Sequence, residues 1–264
     1  LTSPSERDAL EFLYTHNGTH LLIDSTEIGK YTAYSSIGSD ENYDRFSWIP
    51  ALLMDVSQTQ ETKNETNYLY TGGSPLDEDI IWDVNGEEII LPKKNAFIGA
   101  ILLKKDNKDN FLQPEGIFVY KNKNYNLPLR YLYVNDKLTD FNSGLEAGIF
   151  VFPSLSITAN GGVNVNKIGA SMYLSNRTVN SQLAKLYLFD IKSKYFKLVH
   201  KEENFLINDI KNNIDIGSFV YYRGFQGPIK IWEINYPSDI KKNPEFLETN
   251  YPNLELKLAK AGEY

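Results

Sequence analysis

Apolar residues change their spacing twice along this chain. Ala9, Leu10, Leu13 and Tyr14 recur every three or four positions, the repeat of one helix face. Ser3-Pro4-Ser5-Glu6 before them reads as a capping box with proline in the first turn, and Asn17-Gly18 reads as the stop. His20-Leu21-Leu22-Ile23 is a short run that predicts a buried strand. Asp24 follows at once with Glu27 three residues later, the pattern that opens a second helix. Ile28, Tyr31, Tyr34 and Ser35 would share one face of it. Residues 1–37 therefore read helix–strand–helix.

The middle of the chain shifts toward strand chemistry. Runs at 87–91, 96–103, 116–120, 129–134, 148–152 and 170–174 are rich in branched and aromatic residues, and Asn, Asp, Gly and Pro clusters separate them. Residues 47–54 predict a helix with Pro50 near its first turn, and 58–66 a polar loop. Helical spacing returns over 178–189, where Val179, Leu183, Leu186 and Tyr187 fall on one face. Strands are predicted at 196–199, 219–222 and 229–234, and the tail from Asn243 reads as loop with short amphipathic pieces. The fold class is α+β: a small α/β core with a barrel- or sandwich-like β-rich middle. Residues 1–75 and 170–236 are assigned to the core, 76–169 to an inserted or peripheral β unit, and 237–264 to a C-terminal tail.

Composition narrows the chemistry. The 264 residues carry 27 basic and 34 acidic side chains, a net charge of −7. That balance argues against nucleic acid as a partner, since phosphate binding needs clustered Lys and Arg. The chain has no cysteine, which excludes thiol catalysis, disulfides and cysteine-ligated metal centres. Its longest apolar run, 96–103, is far short of the roughly 20 residues a spanning helix needs.

The candidate sites are few. His16, His20 and His200 lie in no hydrolase or zinc-binding pattern and read as surface or edge histidines. The acidic runs 40–44 and 77–79 lack calcium-loop spacing and read as solvated loops. Asn160-Gly161-Gly162 and Thr71-Gly72-Gly73 are turn chemistry without a phosphate-binding lysine. Asn17-Gly18-Thr19, Asn64-Glu65-Thr66 and Asn176-Arg177-Thr178 are glycosylation sequons, which permit an extracytoplasmic location. The 18 tyrosines suit a pleated surface and need no sugar platform to account for them. Ile81-Trp82-Asp83-Val84-Asn85-Gly86 reads as a hairpin around an Asn-Gly turn.

Two segments taken together carry a family resemblance. One is the capped helix and strand that end in Asp24-Ser25-Thr26-Glu27-Ile28-Gly29-Lys30; the other is Asn180-Ser181-Gln182-Leu183-Ala184-Lys185-Leu186-Tyr187, with Gly227-Pro228-Ile229-Lys230-Ile231-Trp232 downstream. Over residues 1–55 and about 170–236 the chain resembles the C-terminal globular domain of the single-subunit archaeal or bacterial oligosaccharyltransferase. The resemblance implies transfer of a lipid-linked oligosaccharide to Asn in Asn-x-Ser/Thr, on the extracytoplasmic face of the cell membrane. It implies that the family's W-W-D-Y-G motif lies just upstream of Leu1. It also implies that a divalent cation, Mn or Mg, is held in the membrane half, so that this piece holds no cofactor and is inactive alone. Its partners would be the acceptor polypeptide and, through the membrane half, the lipid-linked donor.

Within this chain the resemblance assigns acceptor recognition to Asp24 and Lys30, with Ile28 as an apolar wall for the threonine methyl. Six positions of a straight helix turn through about 600°, so Asp24 and Lys30 converge only if Asp24 sits at the helix mouth or the helix kinks. The competing assignment makes Asp24 and Glu27 a helix cap and Lys30 a solvated charge. The alternative function is a non-catalytic extracellular β-rich module, of surface-layer or carbohydrate-binding type. A stand-alone hydrolase with paired carboxylates has the least support.

Overall fold

The computed structural model describes residues 1–39, 44–84 and 86–247. In chain order the first elements are α1 (Glu6–Thr15), β1 (His20–Ile23), α2 (Thr26–Ile37), β2 (Ala51–Met54), β3 (Gln60–Glu61), β4 (Glu65–Pro75), β5 (Ile80–Val84) and β6 (Glu87–Leu91). The middle continues with β7 (Phe97–Asp106), β8 (Glu115–Tyr120), β9 (Lys123–Val134), β10 (Lys137–Asp140), β11 (Leu145–Ile157) and β12 (Val163–Leu174). The last part holds α3 (Asn176–Val179), a π-helical turn at Leu183–Leu188, β13 (Phe196–Glu202), α4 (Phe205–Lys211), β14 (Val220–Tyr221), β15 (Phe225–Gln226) and β16 (Ile229–Ile234).

The class is mixed α+β, and its middle is a closed barrel. Seven strands go round in the order β4, β2, β12, β11, β9, β8, β7, with β7 pairing back on β4. All neighbours are antiparallel except β9 and β11, which run parallel. An odd number of strands cannot alternate direction all the way round, so one parallel pair has to close the ring. That seam is tight: a Cβ added at Gly148 would lie 2.6 Å from Tyr131 Cβ and 2.7 Å from its carbonyl oxygen.

Strand β11 is the shared wall of the molecule. Leu145, Ala147, Ile149 and Val151 point into the barrel, whereas Phe150 and Phe152 point into the α/β core. This is the two-residue alternation of a strand buried on both faces, and it accounts for the unbroken apolar run Ala147-Gly148-Ile149-Phe150-Val151-Phe152. The α/β core gathers Leu10, Ile23, Tyr31, Met172, Leu183, Tyr187, Phe196 and Trp232. There β16 is the centre of a three-stranded antiparallel sheet between β1 and β13.

Several expectations change. Residues 47–54 form no helix; Ala51–Met54 is a barrel strand held between β12 and β4, with Leu52 fully buried inside. Partners on both sides override the helical preference of Ala-Leu-Leu-Met. The helix expected over 178–189 is broken into α3 and the π turn. The Gln182 and Leu183 N–H groups donate to the Ser3 and Leu1 carbonyls instead of to the preceding turn, and the Ser181 hydroxyl donates to Thr178 O. Finally, the barrel takes in β2, β4 and the end of β12, so its strands extend past the assigned boundaries at 75 and 170. The tail is docked where it is described, with Ile240 in the core and Asp239 bound to Arg7 at 2.6 Å.

Thr71-Gly72-Gly73, read as a turn, lies inside β4, and the polar loop expected over 58–66 holds β3 and the start of β4. Ser5 caps α1 by accepting the Asp8 N–H, two positions later than the predicted Ser3. Asn17 ends α1 in the left-handed conformation (φ 56°), with the Gly18 N–H donating to Leu13 O at 2.8 Å. β5 and β6 form the expected hairpin, in which the Gly86 N–H donates to Asp83.

Candidate functional site

The mouth of α2 lies where β1 leaves the three-stranded sheet. Ile23 anchors that end, fully buried and opposite Lys230 of β16, and Asp24 emerges directly after it. Asp24 Oδ1 accepts the Thr26 N–H at 2.7 Å and the Thr26 hydroxyl at 2.6 Å. Its carbonyl accepts the Glu27 N–H. The capping oxygen thus comes from Asp24, one residue before Ser25, which flanks the helix without a side-chain cap.

Glu27 does not turn back to complete a capping box. It reaches along the helix: Oε1 pairs with Lys30 Nζ at 3.0 Å, and Oε2 accepts the Tyr34 hydroxyl. Positions 27, 30 and 34 lie one and two turns apart, so one carboxylate serves both. This acceptor bond, then burial, pushes the Tyr34 phenol up to about 12. Glu27 is mostly covered at 15% side-chain exposure, whereas Lys30 stands out at 54%. Behind them the Tyr187 hydroxyl donates to Pro228 O at 2.8 Å. Burial, and after it the negative charge of Asp24, holds that phenol above its usual range.

Asp24 and Lys30 are not paired with each other: Asp24 bonds Thr26 and Lys30 bonds Glu27. Ile28 does not line this surface. It is 4% exposed and packs into the α/β core, so it anchors the helix from below and cannot serve as the predicted wall for a methyl group.

A second polar cluster overturns the solvated-loop reading for Asp77 and Glu78, whereas Asp79 is exposed. Asp77 is 3% exposed and accepts the Ser175 hydroxyl at 2.8 Å. Glu78 accepts the Asn176 N–H at 2.7 Å and faces Arg177 Nε at 3.8 Å. Arg177 also reaches Asp44 at 3.2 Å and Phe46 O at 3.1 Å, and Lys93 joins Asp44 at 2.5 Å. Burial raises Asp77 to about 6; burial and the neighbouring Asp77 raise Glu78 to about 7. Asp44 is pulled down to about 2, chiefly by Lys93. Residues 40–43 of the other acidic run lie outside the described residues. Nothing local in the sequence marks Asp77 for burial, because its partner is 98 residues away.

The histidines stay apart. His16 packs at a tilt against Phe12, His20 meets Thr19, and His200 lies 3.4 Å from Glu202. Among the described residues no three His, Asp or Glu side chains converge where a metal ion could sit, and no helix is long and apolar enough to cross a membrane. Comparison of the chain with family models, curated proteins and solved structures returns no match.

Proposed function

We propose that this chain is the globular domain of an oligosaccharyltransferase and that the mouth of α2 contacts the acceptor Asn-x-Ser/Thr segment. The observation that carries the reading is the arrangement at the start of α2, where an outward Lys30 is steadied by Glu27 beside a capping Asp24. Both segments that resemble the family, residues 1–55 and about 170–236, contribute to one core.

The chemistry suits a hydroxyl-bearing peptide. Lys30 has three N–H donors, of which one goes to Glu27, leaving donors for a peptide carbonyl or hydroxyl oxygen. Asp24 spends Oδ1 on Thr26, and Oδ2 can accept the Ser or Thr hydroxyl. In this reading the lipid-linked oligosaccharide and the Mn or Mg ion bind in the membrane-embedded part of the enzyme, on the extracytoplasmic side. In this reading the residues of this chain act on the acceptor.

The test is peptide transfer by the complete gene product with Lys30→Ala. The expected result is a raised KM for an Asn-x-Thr peptide at unchanged KM for the lipid-linked donor. An unchanged acceptor KM would return Asp24 and Lys30 to helix capping, and a gene product without transferase activity would overturn the whole reading.

A further inference from the structure

A groove of about 390 Å³ runs beside α1, within the range of roughly 300–1,000 Å³ common for small-molecule sites. Helix α1 gives it Ala9, Phe12 and Leu13, and α2 gives it Tyr34 and Ile37. Phe196, buried in the α/β core, forms its floor. Phe246 meets Phe12 edge-on, with ring centroids 5.6 Å apart. The walls stay open to water: Phe12 and Ile37 are exposed, and Ala9, Leu13, Tyr34 and Phe246 are half-buried. A concave apolar surface left wet by folding marks a place where a partner gains by covering it.

Polar residues gather at one end of the groove, around Thr2 and Ser3. The Gln182 N–H donates to Ser3 O at 3.1 Å. Thr2 Oγ1 and Arg45 Cδ both approach Gly38, 3.2 and 3.9 Å from where a Cβ would stand. Thr2, Arg45 and Gln182 all line the groove. Gln182 is 3% exposed, and its Nε2 donor has no partner among the described residues. A buried donor is stabilised by an acceptor oxygen, and the groove is where one can reach it. Phe12 lies about two turns along α1 from its Ser5 cap, so the apolar walls lead away from this polar end.

The two ends together select a ligand class. The apolar walls suit an alkyl chain. The Gln182 amide asks for an acceptor oxygen, and the Arg45 side chain beside it favours a negative one over a neutral one. A cationic head would face Arg45. The acid among the described lining residues is Asp8, which is exposed, so water weakens its repulsion. We propose that this groove binds a single-chain carboxylate, a fatty acid, with its head at Gln182 and Arg45 and its chain along α1. Tyr34 lines the groove while its hydroxyl donates to Glu27, and neither Asp24 nor Lys30 takes part. The proposal therefore holds or fails independently of the acceptor reading.

The experiment is a heteronuclear NMR titration of the full chain with laurate, dodecanol and dodecylammonium, each below its micellar concentration. Laurate should shift the backbone amides of Ala9, Leu13 and Ile37 and the side-chain amide of Gln182. Dodecanol should bind less tightly, and dodecylammonium least. Gln182→Met keeps the length of the side chain and removes the donor. It should melt no lower than the parent, because Nε2 has no partner to lose among the described residues. It should bind laurate at least about tenfold more weakly, which is about 1.4 kcal/mol. Ile37→Ser, at an exposed position, should fold like the parent and also weaken binding. No shift with laurate, equal binding of dodecanol or dodecylammonium, or full affinity in either variant would overturn the proposal. So would contacts, in the unliganded protein, from residues 248–264 or a second copy of the chain to Phe12 and Ile37, because the groove would then be covered already.

Discussion

The mouth of α2 and the junction at Asp77 are built from the same parts. Each has two acids within three residues, a basic partner and the start of a helical segment. They differ in water. At α2 the cation projects outward and Asp24 lies at the surface, so both can meet a ligand. At Asp77 the acids are enclosed, they cross-link residues 98 positions apart, and their affinities for protons rise toward neutrality. Burial, more than residue type, separates a surface that can contact a partner from a lock that fastens the barrel side to the core.

The largest break in that comparison is pH. Asp77 and Glu78 have folded-state values above their unfolded ones, so the stability they leave intact below pH 4 is lost as pH rises through about 6 and about 7. For Asp77 the shift of about two units corresponds to about 3 kcal/mol. Asp44 has the opposite sign: its contribution is present above its ordinary value and is lost as pH falls toward about 2. Denaturant titrations should therefore find maximal stability near pH 4 and a fall from there to about pH 7. Asp77→Asn, which can still accept from Ser175, should flatten the loss between about pH 4 and 6; an unchanged slope would show that Asp77 is solvated.

Arg177→Ala comes next. It strips the cation from Asp44 and Glu78 in a site where Arg177 is 26% exposed, so the cost should be about 2 kcal/mol, below the range for a fully buried pair. The same change should move the Glu78 transition to higher pH, since Arg177 favours its charged form. Asp24→Ala removes the α2 cap and should cost about 1 kcal/mol, read as a lower melting temperature. Lys30→Ala should cost under about 0.5 kcal/mol because the pair is exposed on the lysine side. A larger loss would make Lys30 structural and weaken its reading as an acceptor contact.

Short-range chemistry was legible in the chain. The Asn17-Gly18 stop, the β5–β6 hairpin and most barrel strands rest on neighbours within a few residues. What escaped depends on distant partners. Ala51–Met54 becomes a strand only because β4 and β12 flank it. The 178–189 segment breaks because Leu1 and Ser3 take its N–H groups. At the candidate site, Asp24 and Lys30 were legible as residues, but the reach of Glu27 toward Lys30 and Tyr34 was hidden by a capping-box pattern that fits equally well. Ile28 was misplaced because one position on a helix decides between surface and core.

The most direct test of the central claim is photo-crosslinking. An Asn-x-Thr acceptor peptide carrying a benzophenone beside its threonine would be irradiated with the complete gene product, and the adducts mapped by mass spectrometry. Adducts within Asp24–Lys30, lost when the peptide threonine is replaced by alanine, are the predicted result. Adducts confined to other segments, or unaffected by that replacement, would contradict acceptor contact at the mouth of α2.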